Sequence, residues 1–208
     1  MPSILRLYAA MIPFDIFLAL TGFALATLFT PGPNNLMLMA SGANYGYRRT
    51  LPHGLGVALG FPILAMAVGL GLAAVLEAYP ILETSMKVLA VAMLLWLAWK
   101  VANAAPPGTA QKESKPLTFV QATAFQWINP KAWAMALGAM AAFAATGGMV
   151  RVFLVALVFA IYGCASASVW TLIGTQVRRL LSTEKRLRIF NWTMAALVIA
   201  SLLPVLIV

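Results

Sequence analysis

The chain has 208 residues, of which 62% are apolar and 9% charged, against roughly 45–50% and about 25% in soluble domains. A water-soluble globule is excluded, and the length is too short for a twelve-span transporter. The net charge of +9 lies in short loops beside apolar runs, which points to anionic lipid and to orientation in a bilayer and away from nucleic acid.

Six apolar runs predict membrane-crossing helices over about 14–42, 54–76, 85–102, 117–145, 149–176 and 189–208. Helix is the economical choice, because lipid offers no partners to backbone N–H and C=O groups and no strand-type alternation is visible. Residues 1–30 resemble a secretory signal only superficially, since apolar character resumes after Pro33 without a small-residue cleavage site. Met11 offers a second start.

The first run is interrupted by Thr30-Pro31-Gly32-Pro33-Asn34-Asn35. The second carries Gly56 and Gly60 as a GxxxG, with Gly54, Gly69 and Gly71 nearby, a spacing that serves close packing within the bundle or between protomers of a homo-oligomer. His53, the single histidine, follows Arg48 and Arg49 and reads as a solvated residue of a cytoplasmic loop. Trp96 and Trp99 close the third run and, with Trp192, fit an aromatic belt at the membrane surface.

The stretch 103–116 has linker composition and divides the chain almost in half. The fourth run, like the first, is interrupted, here at Trp127-Ile128-Asn129-Pro130-Lys131. The fifth run contains the single cysteine, Cys164, which removes any intramolecular disulfide or thiolate metal cage. Small residues Gly163, Ala165, Ser166, Ala167 and Ser168 surround it.

Of fourteen basic residues, Arg48, Arg49, Lys100, Lys112, Lys115, Arg178, Arg179, Lys185, Arg186 and Arg188 fall on one side of the predicted bilayer. Arg6, Lys87 and Arg151 fall on the other, and Lys131 lies within a span. This asymmetry predicts cytoplasmic loops after the first, third and fifth spans and both termini outside. Three spans per half then require the halves to run in opposite directions. The predicted architecture is all-α and polytopic: one membrane domain over 1–208, built as two inverted three-helix repeats, about 14–102 and 117–208, each with a broken first helix.

Both interruptions spell a helix restart, because proline suits the first helical position and Asn129 is a favoured N-cap. Pro31, Pro33 and Pro130 cannot donate to the carbonyls of Thr27, Phe29 and Gln126, so free acceptors gather beside the free donors of the new helices. Such backbone survives in a membrane only where it lines a polar cavity. Helix-start N–H groups suit a carboxylate and freed carbonyls suit an ammonium, so the pattern fits a zwitterionic amino acid.

Lys131 is expected to face that cavity, since a lysine at a span centre costs about 2.5–3.5 kcal/mol on insertion scales; snorkelling to an interface is its bland alternative. The expected substrate-binding set is Pro31, Gly32, Pro33, Asn34, Asn35, Gln126, Asn129, Pro130 and Lys131. Asn34, Asn35 and Gln126 serve equally well as glue between helices. Trp127 and Trp133 wall the cavity or face lipid, and Asp15 and Glu77 read as exposed carboxylates at helix ends.

The PGPN sequence at Pro31–Asn34, the Gly46-Tyr47-Arg48-Arg49 turn, Leu95-Trp96-Leu97-Ala98-Trp99-Lys100 and the later Asn129-Pro130-Lys131 together resemble the LysE/RhtB family of amino-acid exporters. The resemblance covers nearly the whole chain from about Phe14. It implies a multi-pass protein of the bacterial inner membrane that expels amino acids or close derivatives in exchange for protons. Lys115-Pro116-Leu117-Thr118-Phe119 and Phe125-Gln126-Trp127 are similar to the branch that exports cysteine and O-acetylserine. No carboxylate lies deep in a span, which favours a neutral amino acid.

Other classes fit less well. An exporter of divalent metal ions needs clustered oxygen, imidazole or thiolate ligands. A membrane enzyme needs an acid–base pair or an activated nucleophile. No nucleotide motif is present and no cofactor or resident metal is expected. A purely structural membrane partner leaves the paired breaks unexplained.

Overall fold

Proline and glycine cut the apolar runs into helices at the places where their chemistry requires it. A computed structural model describes residues 13–104, 115–181 and 183–201, and these are all-helical. Helix α1 (Phe14–Phe29) stops at extended backbone from Thr30 to Gly32, and α2 (Pro33–Tyr45) restarts with proline at its first turn. Gly46, at φ 80° in the left-handed region open to glycine, turns the chain into α3 (Tyr47–Ala67).

A π turn (Val68–Leu72) with Gly71 at φ 106° leads to the short α4 (Ala73–Ala78), and α5 (Pro80–Ala102) follows. Then come α6 (Phe119–Gln126), α7 (Pro130–Phe143), α8 (Gly148–Leu180) and α9 (Glu184–Ala200). Thr118 and Gln121 cap α6 reciprocally, and the side chain of Thr183 caps α9.

By length and composition, 47–76, 84–102 and 148–180 can each cross a membrane, and α1 with α2, bent by 56°, supplies a fourth crossing if the pair is one span. The expected fourth and sixth runs fall short of that length as continuous helix among the described residues. One is cut at 127–129, and the other is described only to Ser201. Arg6, Lys112, Met11 and residues 202–208 lie outside the described residues, as does the Glu77 side chain.

Two corrections concern the second run. It starts as helix at Tyr47, because the Gly46 turn is tight enough for helix to form at once, so His53 sits inside α3 and not in a loop. It is also kinked at the π turn, where Gly71 takes φ 106°.

Apolar packing forms two cores. One gathers Leu20 and Ala24 of α1, Phe61 and Leu64 of α3, Ala132 and Ala136 of α7, and Phe159 of α8. The other gathers Leu36 and Met37 of α2, Leu94 and Leu97 of α5, Phe125 of α6 and Val198 of α9. Each break therefore lies where the chain leaves one core for the other, and it does so in opposite order: α1 to α2 passes from the first core to the second, α6 to α7 from the second to the first.

Glycines set the close approaches between helices. A Cβ on Gly56 would meet the Phe119 carbonyl and the Ala122 methyl, and one on Gly60 would come within 2.8 Å of Thr123 Cα. The GxxxG thus packs α3 against α6 within the chain. Outside, Phe14, Leu70, Ile81, Val88, Phe153, Ile161 and Trp192 each expose more than half their surface, an apolar exterior suited to lipid.

Candidate functional site

The two breaks meet. Lys131, in the first turn of α7, donates from Nζ to the Thr30 carbonyl and to Thr30 Oγ1, each at 2.9 Å, and approaches the Pro31 carbonyl at 3.5 Å. Thr30 and Pro31 belong to the extended link between α1 and α2, a hundred residues earlier in the chain. Gly32 is small for a steric reason, since a Cβ there would stand 2.9 Å from Lys131 Cδ and 3.0 Å from Nζ. Its φ of −178° is ordinary extended backbone.

Freed carbonyls are covered by side chains. Asn35 Nδ2 donates to the Leu28 carbonyl at 2.7 Å and to the Thr30 carbonyl at 2.8 Å, and Ser166 Oγ of α8 donates to Leu28 at 2.8 Å. The Thr27 carbonyl accepts from Thr30 Oγ1 at 2.9 Å, and the Gln126 carbonyl from Asn129 N–H at 3.4 Å. The acceptors offered to the junction are therefore those of Leu28, Thr30 and Pro31. Of the expected free carbonyls, that of Thr27 is satisfied by the Thr30 hydroxyl and that of Gln126 by a tight backbone turn.

At the second break the end of α6 tightens, with Trp127, Ile128 and Asn129 donating to the carbonyls three residues back. Asn129 then caps α7, its Oδ1 accepting from Lys131 N–H at 3.1 Å. Trp133 Nε1 donates to the Trp127 carbonyl at 2.8 Å, so the Trp133 indole latches this break, and both Trp side chains pack against the first core. No side chain caps the start of α2, which leaves that positive helix end open to an anion.

Asn34 and Gln126 pair across the breaks: Asn34 Nδ2 donates to Gln126 Oε1 at 2.8 Å, and Gln126 Nε2 to Asn34 Oδ1 at 3.3 Å and to the Ala122 carbonyl at 2.8 Å. Gln126 is fully buried.

A cavity of about 40 Å³ lies at the junction, enough for a few waters at roughly 10–15 Å³ each. Gly32, Asn34, Asn35, Gln126, Asn129 and Lys131 line it. Pro31, Pro33 and Pro130 are not among its lining; they shape the backbone, and Pro31 also presents a carbonyl to Lys131. Phe61 and Phe159, with ring centroids 4.9 Å apart, form an apolar wall. Lys131 is the one charged group among the described lining residues.

The sequence profile of LysE type translocators matches residues 25–203, a stretch that contains both breaks and every lining residue. The chain belongs to this family. Among curated relatives of this translocator, the cysteine/O-acetylserine efflux protein of Klebsiella pneumoniae is 28% identical over 179 residues, covering 85% of this chain and 90% of the relative. The protein of the same name from Escherichia coli strain K12 is 29% identical over 162 residues, 76% of this chain and 82% of the relative, as is that of Shigella flexneri serotype 5b. No solved structure matches the translocator.

Sequence reasoning missed several residues of the site in this translocator. Thr27 and Ser166 line the cavity, yet a hydroxyl in an apolar run carries no signal that separates lining from packing. His53 is the larger correction: expected in solvent, it is 2% exposed, and neither ring nitrogen has a hydrogen-bond partner. An unsatisfied buried polar group costs about 1–3 kcal/mol, so a histidine kept there asks for an explanation. Asp15 is exposed in the first turn of α1, as expected.

Proposed function

We propose that this LysE-type translocator is a secondary exporter of small neutral amino acids or their derivatives, O-acetylserine and cysteine among them, across the bacterial inner membrane. The observation that carries the reading is the bond between Lys131 of one break and Thr30 of the other, above a cavity both breaks line. The solute's carboxylate exchanges for one of the Lys131 contacts and takes the uncapped start of α2. Its ammonium takes the Thr30 and Pro31 carbonyls that Lys131 then releases.

The cavity as it stands holds only a few waters, so loading O-acetylserine requires its walls to part. Alternating access supplies this, with one half rocking against the other as two inverted repeats and both termini outside. The opposite order in which α1–α2 and α6–α7 cross between the cores supports such a repeat. A second cavity of about 50 Å³ shares Ala58 and Ala167 with the first and extends between α3 and α8 to Tyr47. There Tyr47 donates its hydroxyl proton to Ser168 Oγ at 3.1 Å. The shared lining residues support a solute path from the Tyr47 end of the bundle.

Proton exchange is the proposed drive. A divalent cation is the weaker alternative, because an ammonium at the junction repels it and the other lining atoms are amide, hydroxyl and carbonyl. The test is efflux from liposomes holding the purified protein, with a panel of amino acids and an imposed pH gradient. Export of O-acetylserine that rises with an inward proton gradient supports the reading; transport of no amino acid under any gradient overturns it.

A further inference from the structure

Away from the breaks, a cleft of about 30 Å³ lies between the end of α2, the start of α3, the end of α5 and the segment Lys115–Leu117. Apart from the Tyr45 hydroxyl, its polar side chains divide into two sets. Ser41 Oγ bonds Thr50 Oγ1, a residue behind the lining, at 3.0 Å. Asn44 is committed on both sides of its amide, donating to the Ala40 carbonyl and to Asn191 Oδ1 and accepting from Asn191 Nδ2. His53, Lys100 and Lys115 make up the other set.

His53 borders the cleft with both ring nitrogens out of contact with solvent and without a partner. The Lys100 ammonium rests 5.4 Å from the centre of the Trp96 ring, which leaves its N–H donors free of any acceptor in that contact. Lys115 is exposed at the mouth. Among the described lining residues there are two ammoniums, one imidazole and no carboxylate. Such a site lacks one thing, an anionic acceptor small enough for the space.

We propose that this cleft is a second binding site, separate from the junction of the breaks, for the carboxylate of a small solute. The carboxylate accepts from Lys100 and, once the His53 ring turns so that a ring N–H faces the cleft, from His53, with Lys115 closing over it. A carboxylate has two acceptor oxygens for the imidazole and ammonium donors of this lining, while the rest of the solute projects through the cleft mouth.

His53 is the single histidine of the chain, so nitrogen-15 labelling of histidine in the full-length protein in lipid nanodiscs gives one imidazole to follow. Sodium acetate is titrated at constant pH and ionic strength against sodium chloride. We expect a saturable movement of one ring nitrogen towards a hydrogen-bonded N–H with acetate alone. A combined Lys100→Met and Lys115→Met variant is expected to raise the half-saturating acetate concentration about tenfold or more, as the loss of a charge-assisted hydrogen bond does. Lys131→Ala is expected to leave the response in place. The proposal is overturned if acetate moves neither nitrogen, if chloride moves them equally, if the double variant responds like the parent, or if Lys131→Ala abolishes the response.

Discussion

Replacing Lys131 with methionine removes one ammonium at nearly constant volume, and the structure separates its structural cost from its cost to transport. The Thr30 carbonyl keeps its bond from Asn35 Nδ2 at 2.8 Å, and the Thr30 hydroxyl keeps its donation to Thr27 at 2.9 Å. The variant therefore strands neither group, and its structural loss is that of a polar contact between membrane helices, about 0.6 kcal/mol on average and up to about 1.7. A fold stable by about 5–15 kcal/mol survives this. If the ammonium binds the solute's carboxylate, a charged hydrogen bond of about 1.5–3 kcal/mol is lost, which is about ten- to a hundredfold in affinity. The assay is initial-rate counterflow of labelled O-acetylserine in proteoliposomes at matched protein, with thermal unfolding of the same preparation. Lys131→Met is expected to unfold within a few degrees of the parent and to lose at least about tenfold in transport at subsaturating solute. Parent-like transport refutes the reasoning, and so does a variant that fails to fold, because the contact is then structural.

Gly32→Ala is expected to displace the flexible end of Lys131, whose Cδ stands 2.9 Å from the new methyl, and to cut counterflow while the unfolding temperature holds. Gln126→Leu leaves Asn34 without its partner and is expected to destabilise by about 1–3 kcal/mol. Adding Asn34→Leu is expected to recover part of that loss, a coupling read from unfolding in a double-mutant cycle. Gly56→Ala drives a methyl into the Phe119 carbonyl and the Ala122 methyl, and is expected to cost about 1–3 kcal/mol as overpacking does, seen as a lowered unfolding temperature. Asn129→Ala removes the cap on Lys131 N–H and is expected to cost about 1 kcal/mol, with Asn129→Asp restoring stability.

Local chemistry was legible where a residue type forces the backbone. Pro31, Pro33 and Pro130 announced both breaks, and Asn129 announced the cap, because each acts within its own turn. What those breaks touch was not legible. The Lys131–Thr30 and Asn34–Gln126 bonds join residues 101 and 92 positions apart, and no helical period encodes such a pairing. Asn35 reads from sequence as glue or ligand, and in the fold it also covers the carbonyls freed five and seven residues before it. The π turn is not legible, because Gly69 and Gly71 in an apolar run look the same whether they pack or bend. His53 reads as a loop residue because it follows Arg48 and Arg49, whereas one glycine at positive φ lets α3 begin at Tyr47.

Thr27 lines the cavity between the breaks and differs little in size from cysteine. In a Cys164→Ser background, Thr27→Cys gives one thiol in the chain, and its rate of modification by a small water-soluble thiosulfonate reports on that cavity directly. With solute bound between the breaks, saturating O-acetylserine slows the modification, and Lys131→Met in the same background removes the protection. A thiol that resists the reagent altogether, or one modified equally fast with and without O-acetylserine, contradicts a solute site at the meeting of the two breaks.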